Sequence, residues 1–581
     1  MPELPGKKWV EQIRIKVNGQ DIEHEIMDKV IEVVVDLSLQ LPDMFIIHLA
    51  DSDDFKVMES GPFEVGRSVE IELAESKETD TTISVFKGEI TAIEPTFGSD
   101  VSAILTVRGY DKSHRLNRGT KIRAMQDVTD GDIVKLIAAE NGLRPKVEDP
   151  GQVYKHVYQH NLTDMQFLTQ RAQRIGYEVF VDDNELYFRK FKGRRGQIEM
   201  EWGKDLRSFR PRLSLWRQVN TVLVKGWDPE VKREIVGRAT SSDVSPKIGY
   251  GKTGGQAAQS AMGSSAEEVV VRRPVATQRE ADMLAQALLD EINAGFIEAD
   301  GVAIGQPKLK AGMKVKIKNV SNRFAGEYIV TAARHIYTLE GYETHFSVQG
   351  ARTQLMTDLI ENQSVFSDRE PYWGGVVPAI VTNNNDPDKQ GRIKVKYPWL
   401  DNNLESHWTR VAAIGAGNGR GVVWMPEIND EVLVAFEHGD FNRPYIVGTL
   451  WNGKDKLPAE WNDGGVQGGK VEIRMLKSRV GHVIKLVDGP SDQYIEIVDA
   501  KQGTTIRLDA STQKLSIESK DEISIKTNTS LKVTTTSNVD ITSQGNTTIK
   551  ATGNVSVQAT GNAEVTASGQ LTLRGSIVNI N

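Results

Sequence analysis

An eight-residue repeat of apolar pairs runs through the last sixty residues of the chain. Each pair places two apolar residues on either side of one polar residue, so both side chains lie on the same face of a strand. Seven consecutive octads keep this register, with Thr547 and Ala563 in two of the positions. The other twelve positions, which we call the needle core, are Ile523, Ile525, Leu531, Val533, Val539, Ile541, Ile549, Val555, Val557, Val565, Leu571 and Leu573. Glycine recurs at the same interval just before the following strands, where the backbone can turn sharply, at Gly545, Gly553, Gly561 and Gly569.

A disordered polar tail is the alternative for this segment, because Thr527 to Asn581 contains five charged residues and neither an aromatic residue nor a proline. Disorder, however, gives no reason for a fixed period. One chain offers too few apolar side chains per octad to offset its ordering entropy. We therefore expect three identical chains to wind about one axis as a triple-stranded β-helix, with the apolar pairs inside. At ~4.8 Å per strand layer, seven octads would form a needle of about 34 Å.

The repeat changes register after Leu573. Its next pair would fall at Asn579 and Asn581, which are both polar. A three-chain needle would present unpaired backbone groups and a small apolar facet at this point. We expect a capping protein to dock on the five residues Ile577, Val578, Asn579, Ile580 and Asn581.

The remainder of the chain is predicted to be mainly β with a minor helical part. Residues alternate in the strand manner at Ile13–Val17 and in the segments that begin at Val30 and Ser68. Helices are expected after the capping residues Thr129, Thr163 and Thr277. The Gly/Ser-rich stretch 241–265 is expected to be a mobile loop.

Short strands with tight turns follow a polar segment and are typical of a small closed barrel of the OB type. This block includes GVVPAIVTNN, GRIKVKYPW, HWTRVAAI, GVVWMP, DEVLVAFEHGD and PYIVGTLWNG. The predicted organisation is a hub at 1–357 with two β-barrel-like modules and helices, a linker at 358–372, the OB domain at 373–455, a connector at 456–481 and the needle at 482–581.

The block from Gly375 to Gly453 resembles the OB-fold of VgrG-type spike proteins and phage tail spikes. RGYDKSHRLNRG, from Arg108 to Gly119, and NLTDMQFLTQRAQRIGYEVF, from Asn161 to Phe180, are similar to the hub domain of that family. One departure is Asn429, where the family often has glycine. Asn tolerates left-handed backbone angles, so we expect the turn to be kept.

The resemblance implies a homotrimeric central spike of a contractile injection machine. In that family the hub docks on a hexameric inner tube within the baseplate, and a PAAR-type tip protein sharpens the needle, which crosses the target membrane transiently. Effector cargo is a further possible partner. The polar linker and compact N-terminal half resemble phage-derived extracellular injection particles more than type VI secretion spikes.

Net charge, cysteine content and the N-terminal residues restrict the partners, covalent links and compartment that can be expected for this protein. The net charge of −8 argues against a nucleic-acid partner, because phosphate binding needs a basic surface. The absence of cysteine excludes disulfides and thiolate metal sites. The first residues lack an apolar signal-peptide region, so synthesis in a cytoplasm is expected. The resemblance implies assembly in a bacterial cytoplasm and release or delivery toward the target cell on contraction.

Candidate chemistry is sparse. GYGKTGG, from Gly249 to Gly255, lacks the first glycine of a phosphate-binding loop, and we interpret it as a solvated loop. NNNDPDKQG, from Asn383 to Gly391, has carboxylates at calcium-loop-like spacing but lacks the downstream glutamate, so we interpret it as a hairpin turn. No histidine follows His482, and we expect neither a metal nor a cofactor.

A structural spike without catalytic activity is the leading hypothesis, because no catalytic motif is recognisable. The alternatives are a type VI secretion spike or phage tail spike with peptidoglycan-degrading activity, and a trimeric tail-fibre-like binding protein. The segment between the barrel and the needle is too short for an inserted hydrolase. A tail fibre would leave the OB block and the hub motifs unexplained.

Overall fold

The computed structural model describes residues 13–39, 41–52, 55–74, 82–99, 102–191, 196–242, 244, 247–348 and 373–580. The chain divides into two compact units, Met1–Lys456 and Leu457–Asn581. The predicted linker at 358–372 lies outside the described residues. Across the described ranges, every helix is too short or too polar to span a membrane.

Within its described residues, the hub part of the first unit contains twenty-three strands. They are β1 (Ile13–Val17), β2 (Gln20–Asp21), β3 (Val30–Ser38), β4 (Met44–Ala50), β5 (Ser68–Ala74), β6 (Thr82–Phe97), β7 (Ala103–Tyr110), β8 (Lys121–Thr129), β9 (Arg144–Val147), β10 (Val153–Leu162), β11 (Tyr177–Asp182), β12 (Glu185–Lys190), β13 (Gln197–Glu201), β14 (Leu206–Leu213), β15 (Thr221–Asp228), β16 (Arg233–Ala239), β17 (Lys247–Ile248), β18 (Glu267–Val270), β19 (Ile297–Ile304), β20 (Lys314–Lys318), β21 (Gly326–Ile329), β22 (Ala332–Thr338) and β23 (Gly341–Val348). Its helices are α1 (His24–Met27), α2 (Lys56–Ser60), α3 (Asp130–Glu140), α4 (Asp164–Arg174), α5 (Gly254–Met262) and α6 (Gln278–Ala294), with a 3₁₀ turn at Lys112–Asn117.

One large sheet joins the early and late strands of the hub. Its eleven strands lie in the order β14-β19-β23-β22-β3-β4-β7-β6-β5-β1-β2. The strands of the two predicted modules share this sheet because β22 pairs with β3, with Ile336 opposite Val34. Alternate residues of these strands form the largest apolar core, which includes Phe45, Ile47 and Leu49.

Three predicted helix starts are confirmed. The side chain of Thr129 accepts a hydrogen bond from the Asp132 backbone and caps α3, and Thr163 caps α4 through Gln166. Thr277 accepts from the Glu280 backbone at the start of α6. Each side-chain oxygen satisfies a backbone N–H that has no partner inside the helix.

The mobile loop expected at 241–265 is wrong, because the segment contains β17 and α5. Thr253 and Gln256 form a capping box at the start of α5. The two glycines that begin the helix are buried, and a Cβ atom at Gly255 would lie 2.4 Å from the carbonyl oxygen of Val219. Gly254 and Gly255 thus allow close packing, whereas residues 249–253 form the turn and loop that we expected from GYGKTGG, with only Tyr250 half-buried.

The OB domain forms the predicted closed barrel, in the strand order β24-β25-β26-β28-β27. The strands are β24 (Val376–Asn383), β25 (Arg392–Lys396), β26 (Thr409–Val411), β27 (Glu431–Phe436) and β28 (Pro444–Thr449), with a 3₁₀ turn at Glu437–Gly439. The expected left-handed turn at Asn429 is confirmed, with φ of 78°. The segment GVVWMP forms no strand, and Val423 is 84% exposed.

The second unit begins with α7 (Ala459–Asn462) and the short hairpin β29 (Val466–Gln467) and β30 (Lys470–Val471). A five-stranded antiparallel meander follows, in which every strand pairs with the next one. Its strands are β31 (Ile473–Lys477), β32 (Val483–Asp488), β33 (Gln493–Val498), β34 (Thr504–Asp509) and β35 (Lys514–Ser519).

Candidate assembly surface of the second unit

The C-terminal segment shows the predicted eight-residue rhythm. Bends occur once in every eight residues, at 528–529, 536–537, 544–545, 552–553, 560–561, 568–569 and 576–577. The four repeating glycines lie at four of these bends without a positive φ, so the bend does not depend on left-handed glycine backbone. Residues 521–580 form no hydrogen-bonded strand within a single chain.

All twelve residues of the needle core are exposed in the single chain, as is every residue from 521 to 580. The exposed fraction reaches 81% at Ile541 and 86% at Val557. Full burial of such a side chain stabilises a structure by about 1.5–3 kcal/mol. Twelve of them would therefore contribute on the order of 18–36 kcal/mol per chain, an upper estimate because an unfolded chain already buries part of its apolar surface. A single chain does not gain this stabilisation, because it leaves these side chains exposed to solvent.

The meander carries a second exposed apolar face, which we call the apolar ladder. Side chains of neighbouring strands lie directly opposite each other on this face, as in the pairs Ile484–Ile497 and Leu486–Ile495. The next strand continues the ladder, with Leu508 opposite Ile495. Its members are Leu476, Ile484, Leu486, Ile495, Ile497, Ile506, Leu508, Leu515 and Ile517.

The opposite face of the meander is mixed, because paired charged residues lie beside Val483, Val487 and Val498. The ammonium group of Lys485 lies 2.8 Å from Oε2 of Glu496. The guanidinium group of Arg507 lies 3.5 Å from the ring centre of Tyr494 and 3.2 Å from Oδ2 of Asp509. Partial burial disfavours the charge of Lys485, but the bonds to Glu496 and Tyr494 outweigh it and raise its pKa. The charged residues of this face therefore have partners within the chain, and the apolar ladder is the more exposed face and the one that needs a partner.

The predicted tip residues are exposed in the single chain. The exposed fraction is 79% for Ile577 and 84% for Ile580, and the last bend lies at 576–577. Asn581 lies outside the described residues. The predicted needle core and tip are thus available for contact with other chains, and the single chain does not assemble them into a core.

The apolar ladder was absent from the site residues predicted above. Its signal was present, because apolar residues alternate with polar ones from Leu476 onward in the same i, i+2 manner as in the octads. Among the described residues, no group of three or more His, Asp or Glu side chains has the geometry of a metal site.

Comparisons with known proteins agree with this architecture. Residues 7–338 match a family model described as the Alg8 N-terminal domain. Residues 377–451 match the type VI secretion system/phage-baseplate injector OB domain. These two matches cover the hub and the OB barrel separately.

Two of the sequence relatives are type VI secretion system spike proteins. The type VI secretion system spike protein VgrG1c of Pseudomonas aeruginosa is 32% identical over 155 residues, which cover 25% of this chain and 21% of the relative. VgrG1a of the same organism is 30% identical over 155 residues, which cover 25% of this chain and 24% of the relative. The matched regions span about a quarter of these relatives or less.

A solved Francisella PdpA–VgrG complex in its half-lidded form contains a chain of similar fold. The similarity covers 88% of this chain and 89% of that chain, with 9% identity and a TM-score of 0.50. The chain belongs to the Alg8 N-terminal domain family, its OB domain matches that of type VI secretion and phage-baseplate injectors, and part of the chain is similar in sequence to type VI secretion spike proteins.

Proposed function

We propose that this protein is the structural central spike of a contractile, phage-tail-like injection machine, of the extracellular particle type. The observation that carries the proposal is the octad segment, which keeps a strict apolar period while all of its side chains remain exposed in one chain. Such a segment gains its stability only when several copies bury the same face together.

The proposed assembly is a homotrimer. The apolar ladder and the needle core follow one another in sequence, and both present pairs of apolar side chains at i and i+2. Three copies would point these pairs toward a common axis, while the paired charges of Lys485, Glu496 and Arg507 face water. Closure about an axis also leaves no free strand edge for aggregation.

The hub of this trimer would adapt a hexameric inner tube and the baseplate proteins to the threefold needle. The particle would be assembled in the bacterial cytoplasm and would cross the target membrane transiently when the machine contracts, with effector cargo where it carries one. The net charge of −8 supports contacts with proteins rather than with nucleic acid.

A PAAR-type tip protein is the proposed partner of the segment 577–581. Ile577, Val578 and Ile580 depart from the octad register, and all three are exposed in the single chain. In three copies they would form an apolar facet beside unpaired strand edges. A partner could continue the strand ladder and cover that facet.

Deletion of residues 577–581 should abolish binding of a purified PAAR-type protein in a pull-down while the trimer remains intact, because all seven octads are kept. The matched control removes residues 554–561, one complete octad, so the needle is shorter but its register and tip are unchanged. This control should bind normally. Undiminished binding by the chain that lacks 577–581 would contradict the tip assignment.

We further propose that the spike has no catalytic activity of its own. No cluster with catalytic spacing was recognised in the sequence, and the relatives named above are spike proteins. The purified trimer should release no product from peptidoglycan, nucleotides or peptides. Turnover that disappears on substitution of a single Asp, Glu or His would overturn this part of the proposal.

A further inference from the structure

The OB barrel packs against the hub through one face of β10. Because side chains alternate along a strand, His156, Tyr158 and His160 share this face. Tyr158 is only 3% exposed, and it belongs to the apolar core of the barrel. The ring of His160 stacks on Phe441 at a centroid distance of 5.0 Å. A tyrosine flanked by two histidines thus forms the centre of the joint.

Three hydrogen-bonding contacts fix the joint. The backbone N–H of Tyr158 donates to Oδ1 of Asn442 at 2.8 Å, and the Tyr158 hydroxyl donates to the carbonyl oxygen of Glu405 at 2.8 Å. Nε2 of His156 lies 3.1 Å from the same carbonyl oxygen. A neutral His156 with its proton on Nε2 completes this arrangement, because a carbonyl oxygen can only accept.

A second histidine faces His156 from the barrel. The ring centre of His407 lies 6.2 Å from that of His156. The positive charges of Arg392 and Lys394, on β25, disfavour protonation of His407. The charge of Lys394 also disfavours protonation of His156. Protonation of both rings would therefore bring two new positive charges close to each other and to existing ones.

Two carboxylates near the two histidines already have cationic partners. Glu405 lies 3.6 Å from the ammonium group of Lys394, and Asp127 of β8 lies 3.1 Å from that of Lys155. Burial raises the pKa of the neighbouring Tyr158, and the negative charges of Asp401 and Glu405 also raise it. The local arrangement thus offers limited compensation for two imidazolium charges.

We propose that His156 and His407 form an acid-sensitive latch between the hub and the OB barrel. The latch holds the joint closed while both imidazole rings are neutral. Protonation of the facing rings weakens the contact of β10 with the barrel and favours release of Tyr158 from the barrel core.

The direction of the pH effect follows from the electrostatics of the joint. Burial lowers the pKa of His156 to about 4, and the proximity of His407 acts in the same direction. Burial likewise lowers the pKa of His407. When the joint is released, the pKa of each histidine returns toward its ordinary value of about 6.5. The stability of the closed joint is therefore present at neutral pH and is lost as the pH falls from about 6.5 toward 4.

Hydrogen exchange of the Tyr158 amide tests the latch directly, because this N–H donates across the joint to Asn442. In the full chain, its protection factor should fall at least about 30-fold between pH 7.5 and pH 5, which is the contribution of the lowered pKa of His156 alone, and His407 adds to it. This window lies above the ordinary pKa of glutamate, so ion pairs across the joint, such as Arg443 with Glu280, remain charged.

The double variant His156→Gln/His407→Gln should keep the protection factor of Tyr158 constant within about threefold over this pH range, because glutamine does not titrate and can donate to the Glu405 carbonyl oxygen. His24→Gln, at an exposed position of α1, should behave like the natural chain. If the Tyr158 amide of the double variant is already unprotected at pH 7.5, the single variant His407→Gln replaces it in the test. Its protection factor should fall less between pH 7.5 and pH 5 than that of the natural chain. An unchanged protection factor in the natural chain, or an equal fall in the glutamine variants, would overturn the proposal.

Discussion

Asp386 shows how one carboxylate fixes a hairpin whose sequence resembles a metal loop. Its carboxylate oxygens accept from the backbone N–H groups of Asp388 at 3.1 Å and Gln390 at 2.9 Å. The guanidinium group of Arg392 donates to it at 2.7 Å and holds the pKa of Asp386 well below its usual range. The hairpin turn predicted for NNNDPDKQG is confirmed, because its carboxylate binds backbone and arginine donors of the turn.

Asp386→Asn should lower the free energy of unfolding by about 1–3 kcal/mol, because it removes one partner of a largely buried ion pair. Asp388→Asn is the matched control, since the side chain of Asp388 is 63% exposed and its loss should cost less than about 1 kcal/mol. Thermal unfolding of both variants measures the difference. Because the pKa of Asp386 is depressed, its contribution is present above about pH 4 and is lost as the pH falls further. Equal effects of the two substitutions would contradict this account.

At the scale of single elements, the sequence predicted those structures whose signal is local. The capping residues Thr129 and Thr163 and the bends of the octads depend on neighbouring residues, and all were predicted. Helix α5 was not predicted, because the glycine-rich composition of the segment suggested a loop despite the Thr253–Gln256 capping box. The structural reason for Gly255 is its close packing against Val219, which the local sequence does not reveal.

Elements that depend on distant partners were less accessible from the sequence. GVVWMP has the apolar composition of a strand, yet the structure shows it without strand pairing and with its first four residues exposed. The pairing of β22 with β3 joins segments about 300 residues apart, and no local pattern specifies it. The apolar ladder had a clear alternation but needed the observed register to be recognised as one continuous face.

The octads as an element give the sharpest substitution test. Val555→Asp/Val557→Asp should abolish trimer formation, because several like charges would be buried on one axis without partners. Ser556→Asp/Gln558→Asp places the same charges on the alternate face of the same strand and should leave the trimer intact. Sedimentation velocity distinguishes the two outcomes. Loss of the trimer in both variants, or in neither, would show that the alternating face is not the interface.

At the scale of the whole molecule, the proposed trimer is inferred from apolar residues that recur in a regular pattern but remain exposed in a single chain. The chain specifies two apolar surfaces in its second unit, the apolar ladder and the needle core, and buries neither by itself. The sequence predicted the needle core because a fixed period without an internal partner indicates other copies. It could not define the proposed contacts of the hub with a tube and baseplate proteins, because the hub sequence carries no comparable period.

The mass of the intact protein in solution tests the central claim most directly. Multi-angle light scattering or native mass spectrometry at micromolar concentration should give three times the 64.4 kDa of one chain. A species with the mass of a single chain under these conditions would contradict the proposed spike.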